Sequence, residues 1–215
     1  MKETMTVHKA LAELKVLTSR ISDAMNDQTF VVANKHSNTK IGGKPIDEYC
    51  REVKEKYQSV RTLINRRNAI KRAVILSNAV TKVTIAGREY TVAEAIDMKS
   101  SGVGFLIDLR NRMVSQLHSS MAMAERENGD RLNDRTDSYI KSMYGATDLK
   151  NMSDEVQKTR EAFIAAQTVE LVDPLSAAKE SESLQDLIDS FASEVDAALS
   201  VSNALTTVEV EYETF

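Results

Sequence analysis

The chain has 215 residues, 42% apolar and 28% charged, and a net charge of −4 at pH 7. It is long enough for a sizeable core in one domain, and its acid excess excludes a global basic field for DNA or RNA. No apolar run reaches the ~18 residues of a membrane span, MKETMTVHKA lacks the apolar stretch of a secretory signal, and Cys50, the only cysteine, cannot form an intramolecular disulfide. These features read as a soluble cytoplasmic protein. With no Trp and 5% aromatics, its core is expected to be aliphatic, with the nine Met filling gaps.

In chain order, Val7, Leu11, Leu14, Leu17, Ile21 and Met25 lie mostly on one helical face and predict a helix over residues 5–26. Thr29–Ala33 reads as a short strand and His36–Gly43 as a polar loop. Pro45 suits a first helical turn. From there Tyr49, Val53, Val60, Leu63, Ile70, Val74 and Ser77 keep a stripe to residue 77, a rod of roughly 50 Å. That is long for so small a domain, and the spare apolar length predicts packing against a second subunit.

Residues 80–85 and 88–92, joined by Ala86-Gly87, predict a β-hairpin. Thr91 and Glu94 form a capping box opening the next helix, which Ile96, Val103, Leu106, Met113 and Leu117 carry to about Glu125. Gly102 and Gly104 weaken its middle and point to a kink or a close crossing. Residues 126–155 read as an exposed excursion, with room for a short helix, from a single 1–215 domain, 168–172 as a further strand, 181–202 as an acidic helix and 205–213 as the closing strand. The expected fold is mainly α with a small antiparallel sheet, an α+β arrangement of long helices around short strands.

One pattern occurs twice. Ser77-Asn78-Ala79-Val80-Thr81-Lys82-Val83-Thr84-Ile85 is repeated 125 residues later as Ser202-Asn203-Ala204-Leu205-Thr206-Thr207-Val208-Glu209-Val210. Carried upstream, the offset sets Leu63 on Ile188, Ile70 on Val195 and Val74 on Leu199. Each copy marks a helix-to-strand joint, so a helix–strand unit is used at least twice, in one sheet or in two pseudo-symmetric ones.

The chemistry-bearing residues are basic. Residues 61–72 hold Arg61, Arg66, Arg67, Lys71 and Arg72 with no acid, whereas 182–196 hold Glu182, Asp186, Asp189, Glu194 and Asp196 with no base. Arg67 falls in a core-facing slot between Leu63 and Ile70; Arg110 falls in the equivalent slot of the next helix, and Lys99 beside Ile96 and Val103. A buried guanidinium needs a partner. Three readings stand: salt bridges to the acidic helix or between subunits, a pocket in which Arg66, Arg67, Arg110 and Lys99, flanked by Asn65 and Asn68, hold a phosphate or carboxylate, or simple exposure on a helix of shifted phase. The amides have a structural alternative too, a polar layer that fixes helix register.

Enzyme signatures are absent. His8, His36 and His118 have no metal-ligand spacing, Ile41-Gly42-Gly43-Lys44 lacks the parts of a P-loop, and Gly102-Val103-Gly104 follows no strand. No catalytic residue, metal site or cofactor is expected.

A long helix ending in Leu63-Ile64-Asn65-Arg66-Arg67-Asn68-Ala69, then a Thr-x-Val-x-Ile-x-Gly hairpin, then Thr91–Ile96 opening the next helix, resembles a bacterial and phage family described as septicolysin-like. The similarity spans about residues 5–125 and 165–213 and departs at 36–48 and 126–155. The resemblance implies an oligomeric helical fold. The expected function is a non-enzymatic homo-oligomeric binding protein with arginine-lined pockets for a small anionic ligand. In a phage it would act as a sponge sequestering a host nucleotide immune signal. The alternative is a structural or assembly protein with no ligand. Its partner is itself, with neither nucleic acid nor membrane.

Overall fold

The computed structural model describes residues 1–145 and 153–214. The chain is mainly α, with short antiparallel strand pairs. It divides into two compact units, where the sequence reads as one domain: Met1–Ser101 with Ser190–Phe215, and Gly102–Asp189. Among the described residues no helix is long and apolar enough to cross a membrane.

The first unit opens with a strand the periodicity did not reveal. β1 (Lys2–Thr6) leads into α1 (Val7–Asn26) and pairs antiparallel with β6 (Thr207–Glu211), with Met5 opposite Val208. Five residues continuous with a helical stripe carry too little period-2 signal to stand out. β2 (Lys40–Ile41) and β3 (Lys44–Pro45) form a small hairpin in the expected loop, turned by Gly42 and Gly43 at φ +58° and +83°, as a tight turn of this hand requires. α2 (Ile46–Val80) is the expected long helix, three residues longer at its C-terminus than the stripe suggests. β4 (Lys82–Ile85) and β5 (Arg88–Thr91) are the expected hairpin, and α3 (Val92–Asp97) follows. At the turn Ala86 sits at φ 49°, an unfavourable region for a residue with a Cβ, and its amide donates to Glu194 Oε2 at 2.7 Å. Among the described residues the strands pair in three separate two-stranded sheets, and the two copies of the repeated pattern fall in two of them, the second of the two arrangements expected.

The core of this unit joins both chain ends. Met5, Val7, Ala10 and Leu17 meet Ile70 and Val74 of α2 and Val208, Val210 and Tyr212 at the end of the chain, with Leu14, Leu63 and Ala73 against them. Both strand pairs bury alternate residues: Val83 and Ile85 in one, Val208 and Val210 in the other.

The duplicated pattern is a duplicated hydrogen-bond scheme. Thr81 N–H donates to Ser77 O at 2.8 Å, and Thr206 N–H donates to Ser202 O at 2.9 Å. Thr81 O then accepts from Val92 N, and Thr206 O accepts from Val7 N. The residues answering these joints also match, as Thr6-Val7-His8-Lys9-Ala10-Leu11 and Thr91-Val92-Ala93-Glu94-Ala95-Ile96. Each Thr caps its helix by accepting the amide three residues on, and the matched pairs Val7 and Val92, Ala10 and Ala95 are buried. Helix–strand and strand–helix are thus used twice, in two sheets. A turn links one pair, and the chain termini stand in its place in the other.

The capping box at Thr91 forms as expected, with Thr91 N–H and hydroxyl both on Glu94 Oε2, at 2.7 and 2.9 Å. The hydrogen bond from the Thr91 backbone, then that from its hydroxyl, lowers the Glu94 pKa below the usual carboxylate range. A depressed carboxylate stabilises the fold above its unfolded pKa and loses that contribution as pH falls through the folded one. An NMR titration is expected to place Glu94 below free Glu in the wild type and to move it upward in Thr91→Val, which lacks the hydroxyl. An unshifted Glu94 would refute the box in solution.

Between α3 and α4 (Val103–Asn128), Met98–Gly102 forms a π-helical turn. This turn ends at Gly102, where the sequence pointed to a kink or a close crossing, and the division between units falls there.

In the second unit the expected excursion is largely helical. α4 runs to Asn128, and α5 (Asp130–Tyr144) buries Leu132, Thr136 and Ile140 on one face. The short helix the sequence left room for is α5, 15 residues long, with three buried positions at four-residue spacing in a polar segment. Residues 146–152 lie outside the described residues. α6 (Asp154–Gln167) stacks Phe163 on Tyr139, ring centroids 4.4 Å apart, and pairs Arg160 with Asp137 at 2.8 Å. The strand expected at 168–172 does not form: the Asn128 side-chain amide takes both backbone groups of Val169, at 2.7 and 2.8 Å. Residues 29–33 form no strand either. α7 (Ala177–Leu205) runs from the second unit into the first, longer at both ends than the acidic stretch suggested.

Candidate functional site

Five of the candidate residues, Asn65, Arg66, Arg67, Asn68 and Lys99, belong to the first unit, and Arg110 belongs to the second. In the first unit Arg66 turns into the protein and is fully engaged. Its Nε donates to Glu13, its side chain lies 2.8 Å from Glu3 Oε1, and it donates to the Tyr212 hydroxyl. Its guanidinium carbon stands 5.1 Å from the centre of the Tyr212 ring. The hydrogen bond it donates to Glu13 chiefly holds the Arg66 pKa above its ordinary range, against partial burial, and Tyr212 and the charges of Glu13 and Glu3 add to it.

The expectation gave the core-facing slot to Arg67, and this is corrected. Arg66 and Arg67 are both one turn from Leu63 and Ile70, so periodicity does not separate them. The choice is made by Glu3 on β1 and Glu13 on α1, which present carboxylates to Arg66. Arg67 stays half-buried, donating from Nη1 to the side-chain oxygen of its neighbour Asn68 at 3.1 Å. Among the described residues it has no ion pair.

Asn65 and Asn68 edge a hollow of about 710 Å³, shared with Met1, Ala69 and residues 211–214. Asn65 donates weakly to Glu213 O at 3.5 Å. Glu211 and Glu213 at its rim make the hollow a poor host for an anion. The Met1 ammonium is held by Tyr212 O at 2.7 Å.

Lys99 lies on the exposed side of the π-helical turn, paired with Asp196 of α7 at 2.5 Å. This is the salt bridge to the acidic helix that one sequence reading foresaw.

Arg110 stands in the second unit on α4. Its Nη1 donates to the side chain of Asn111 at 3.0 Å, while its Nε is sealed from solvent and has no hydrogen-bond partner among the described residues. An orphaned buried donor costs about 1–3 kcal/mol. One turn further along α4, Met113, Gln116 and Leu117 border a cleft of about 210 Å³ closed by residues 171–175.

The sequence reasoning missed Glu3, Glu13 and Tyr212. No local signal could have marked them, since they lie 63, 53 and 146 positions from Arg66. Among the described residues no three His, Cys, Asp or Glu gather as metal ligands would. No family model, curated protein or solved structure matches the chain.

Proposed function

We propose that the protein is a non-enzymatic homo-oligomer that binds a small anionic ligand, with Arg110 and Arg67 as its binding arginines. The reading drops Arg66 and Lys99, whose charges are met by acids of the same chain. The single observation that carries it is the sealed Nε of Arg110, which has no partner among the described residues. A planar guanidinium flanked by the Asn111 amide suits a phosphate or carboxylate, which would supply the missing acceptor. The resemblance to the septicolysin-like family, which implies an oligomer, points the same way. The ligand class proposed is a nucleotide, held and not turned over; in a phage, the protein would sequester a host nucleotide signal.

A second reading, an assembly protein without a ligand, is favoured by a different observation: Arg66 and Lys99 are already consumed in structural ion pairs. Melts of wild type, Arg67→Met and Arg110→Met against cyclic and ADP-ribose-type nucleotides separate the two. Under the binding reading one nucleotide raises the wild-type melt by about 2.7 kcal/mol at a hundredfold excess over Kd. Arg110→Met then loses the response without losing apo stability, since the substitution removes an orphaned donor. A wild type that answers no nucleotide, with Arg110→Met strongly destabilised, sinks the binding reading in favour of the assembly one.

A further inference from the structure

The exposed faces of the two repeated helices match each other in apolar residues and oppose each other in charge. At the C-terminal end of α2, Leu76 and Val80 are 58% and 74% exposed; at the equivalent end of α7, Val201 and Leu205 are 58% and 77% exposed. The 125-residue offset that superimposes the joints also sets Leu76 on Val201 and Val80 on Leu205. Farther back it sets Lys71 on Asp196, a base on an acid, and both are exposed. Asp196 pairs with Lys99 yet keeps 74% of its side chain exposed.

Large apolar side chains at a helix end, repeated at equivalent places, mark a surface made to be covered. On α7 they border an apolar groove of about 640 Å³, whose floor includes Val83, Ala197 and Ala198. The acids Glu194 and Asp196 stand on the same helix beside it.

We infer that a second copy of this chain docks here, the C-terminal end of its α2 lying parallel and in register along α7. In that register the incoming Leu76 and Val80 meet Val201 and Leu205 over the groove, and Lys71 reaches Asp196. The occupant is identified by charge: the matching basic and apolar face is on the chain itself, and like-charged pairing of α7 with α7 or of α2 with α2 is disfavoured. The inference rests on the homo-oligomer proposed above and names its interface.

Sedimentation equilibrium tests it on the full chain, with circular dichroism confirming that each variant is folded. Lys71→Glu is expected to raise the dissociation constant about tenfold or more by setting acid against acid. Val80→Asp, at a position 74% exposed and so free of folding constraints, is expected to do the same. Combining Lys71→Glu with Asp196→Lys and Lys99→Gln restores opposite signs across the contact without crowding Lys99, and is expected to recover the wild-type association. A wild type that stays monomeric overturns both this interface and the homo-oligomer. A wild type that associates, with Lys71→Glu and Val80→Asp unchanged or the charge exchange failing to rescue, overturns this interface alone.

Discussion

Ile85→Asp and Val210→Asp are each expected to unfold the first unit. These residues end the two copies of the repeated pattern and are 0% and 1% exposed. A carboxylate in either place is sealed from solvent. Its desolvation costs several kcal/mol even after relaxation, a large share of a domain's net stability of about 5–15 kcal/mol. Val83→Asp and Val208→Asp, one strand alternation earlier and 9% and 6% exposed, are expected to follow with smaller losses. Glu209→Asp, on the outward face between Val208 and Val210, is the control and should melt near the wild type. Circular dichroism melts read all five. Val210→Asp melting like the wild type would show that β6 is not packed as described, and with it the joining of the chain ends.

Arg66→Met is expected to cost about 2–4 kcal/mol, toward the lower part of the range for a broken buried pair because the site is only partly sealed. The side chains of Arg66, Glu3 and Glu13 are 24%, 31% and 22% exposed. Removing the guanidinium leaves two carboxylates facing each other with no cation between them. Glu3 belongs to β1, Glu13 to α1 and Tyr212 follows β6, so the variant loosens the junction of both termini with α2. Arg66→Lys is expected to recover less than half the loss, since an ammonium cannot serve two carboxylates and a phenol in one planar fork. Tyr212→Phe keeps the ring and loses one hydrogen bond, about 1 kcal/mol. Equilibrium urea unfolding gives the comparison. An Arg66→Met variant as stable as the wild type would show that this ion-pair knot contributes nothing and would return Arg66 to the candidates for ligand binding.

The helix–strand joints were legible because their signals are local. An apolar stripe with period 3.6 gives way to alternation at Val83 and Ile85, and again at Val208 and Val210, within nine residues. The Thr91–Glu94 box is read from four residues, and the Ala86-Gly87 turn from two. Such features depend on dihedral preference and on which face is apolar, and tertiary packing left them in place. The strands expected at 29–33 and 168–172 had the right residue types but gained no pairing strand. A strand exists only with a partner; at Val169 the Asn128 side chain took the backbone groups a neighbour would have used. β1 erred the other way, as a strand created by its partner β6 from five residues without a signal of their own.

The candidate arginines divide along the same line. That residues 61–72 gather base and 182–196 gather acid is a property of the chain, and it persists as the two contrasting helix faces. Which arginine is spent and which is spare is not in the chain order. Arg66 and Arg67 are neighbours equally close to the stripe, and only the arrival of Glu3 and Glu13 from distant segments consumes one of them. Charge near a helix stripe follows from local periodicity, but its neutralisation depends on long-range contacts, so the tertiary structure alone decided it.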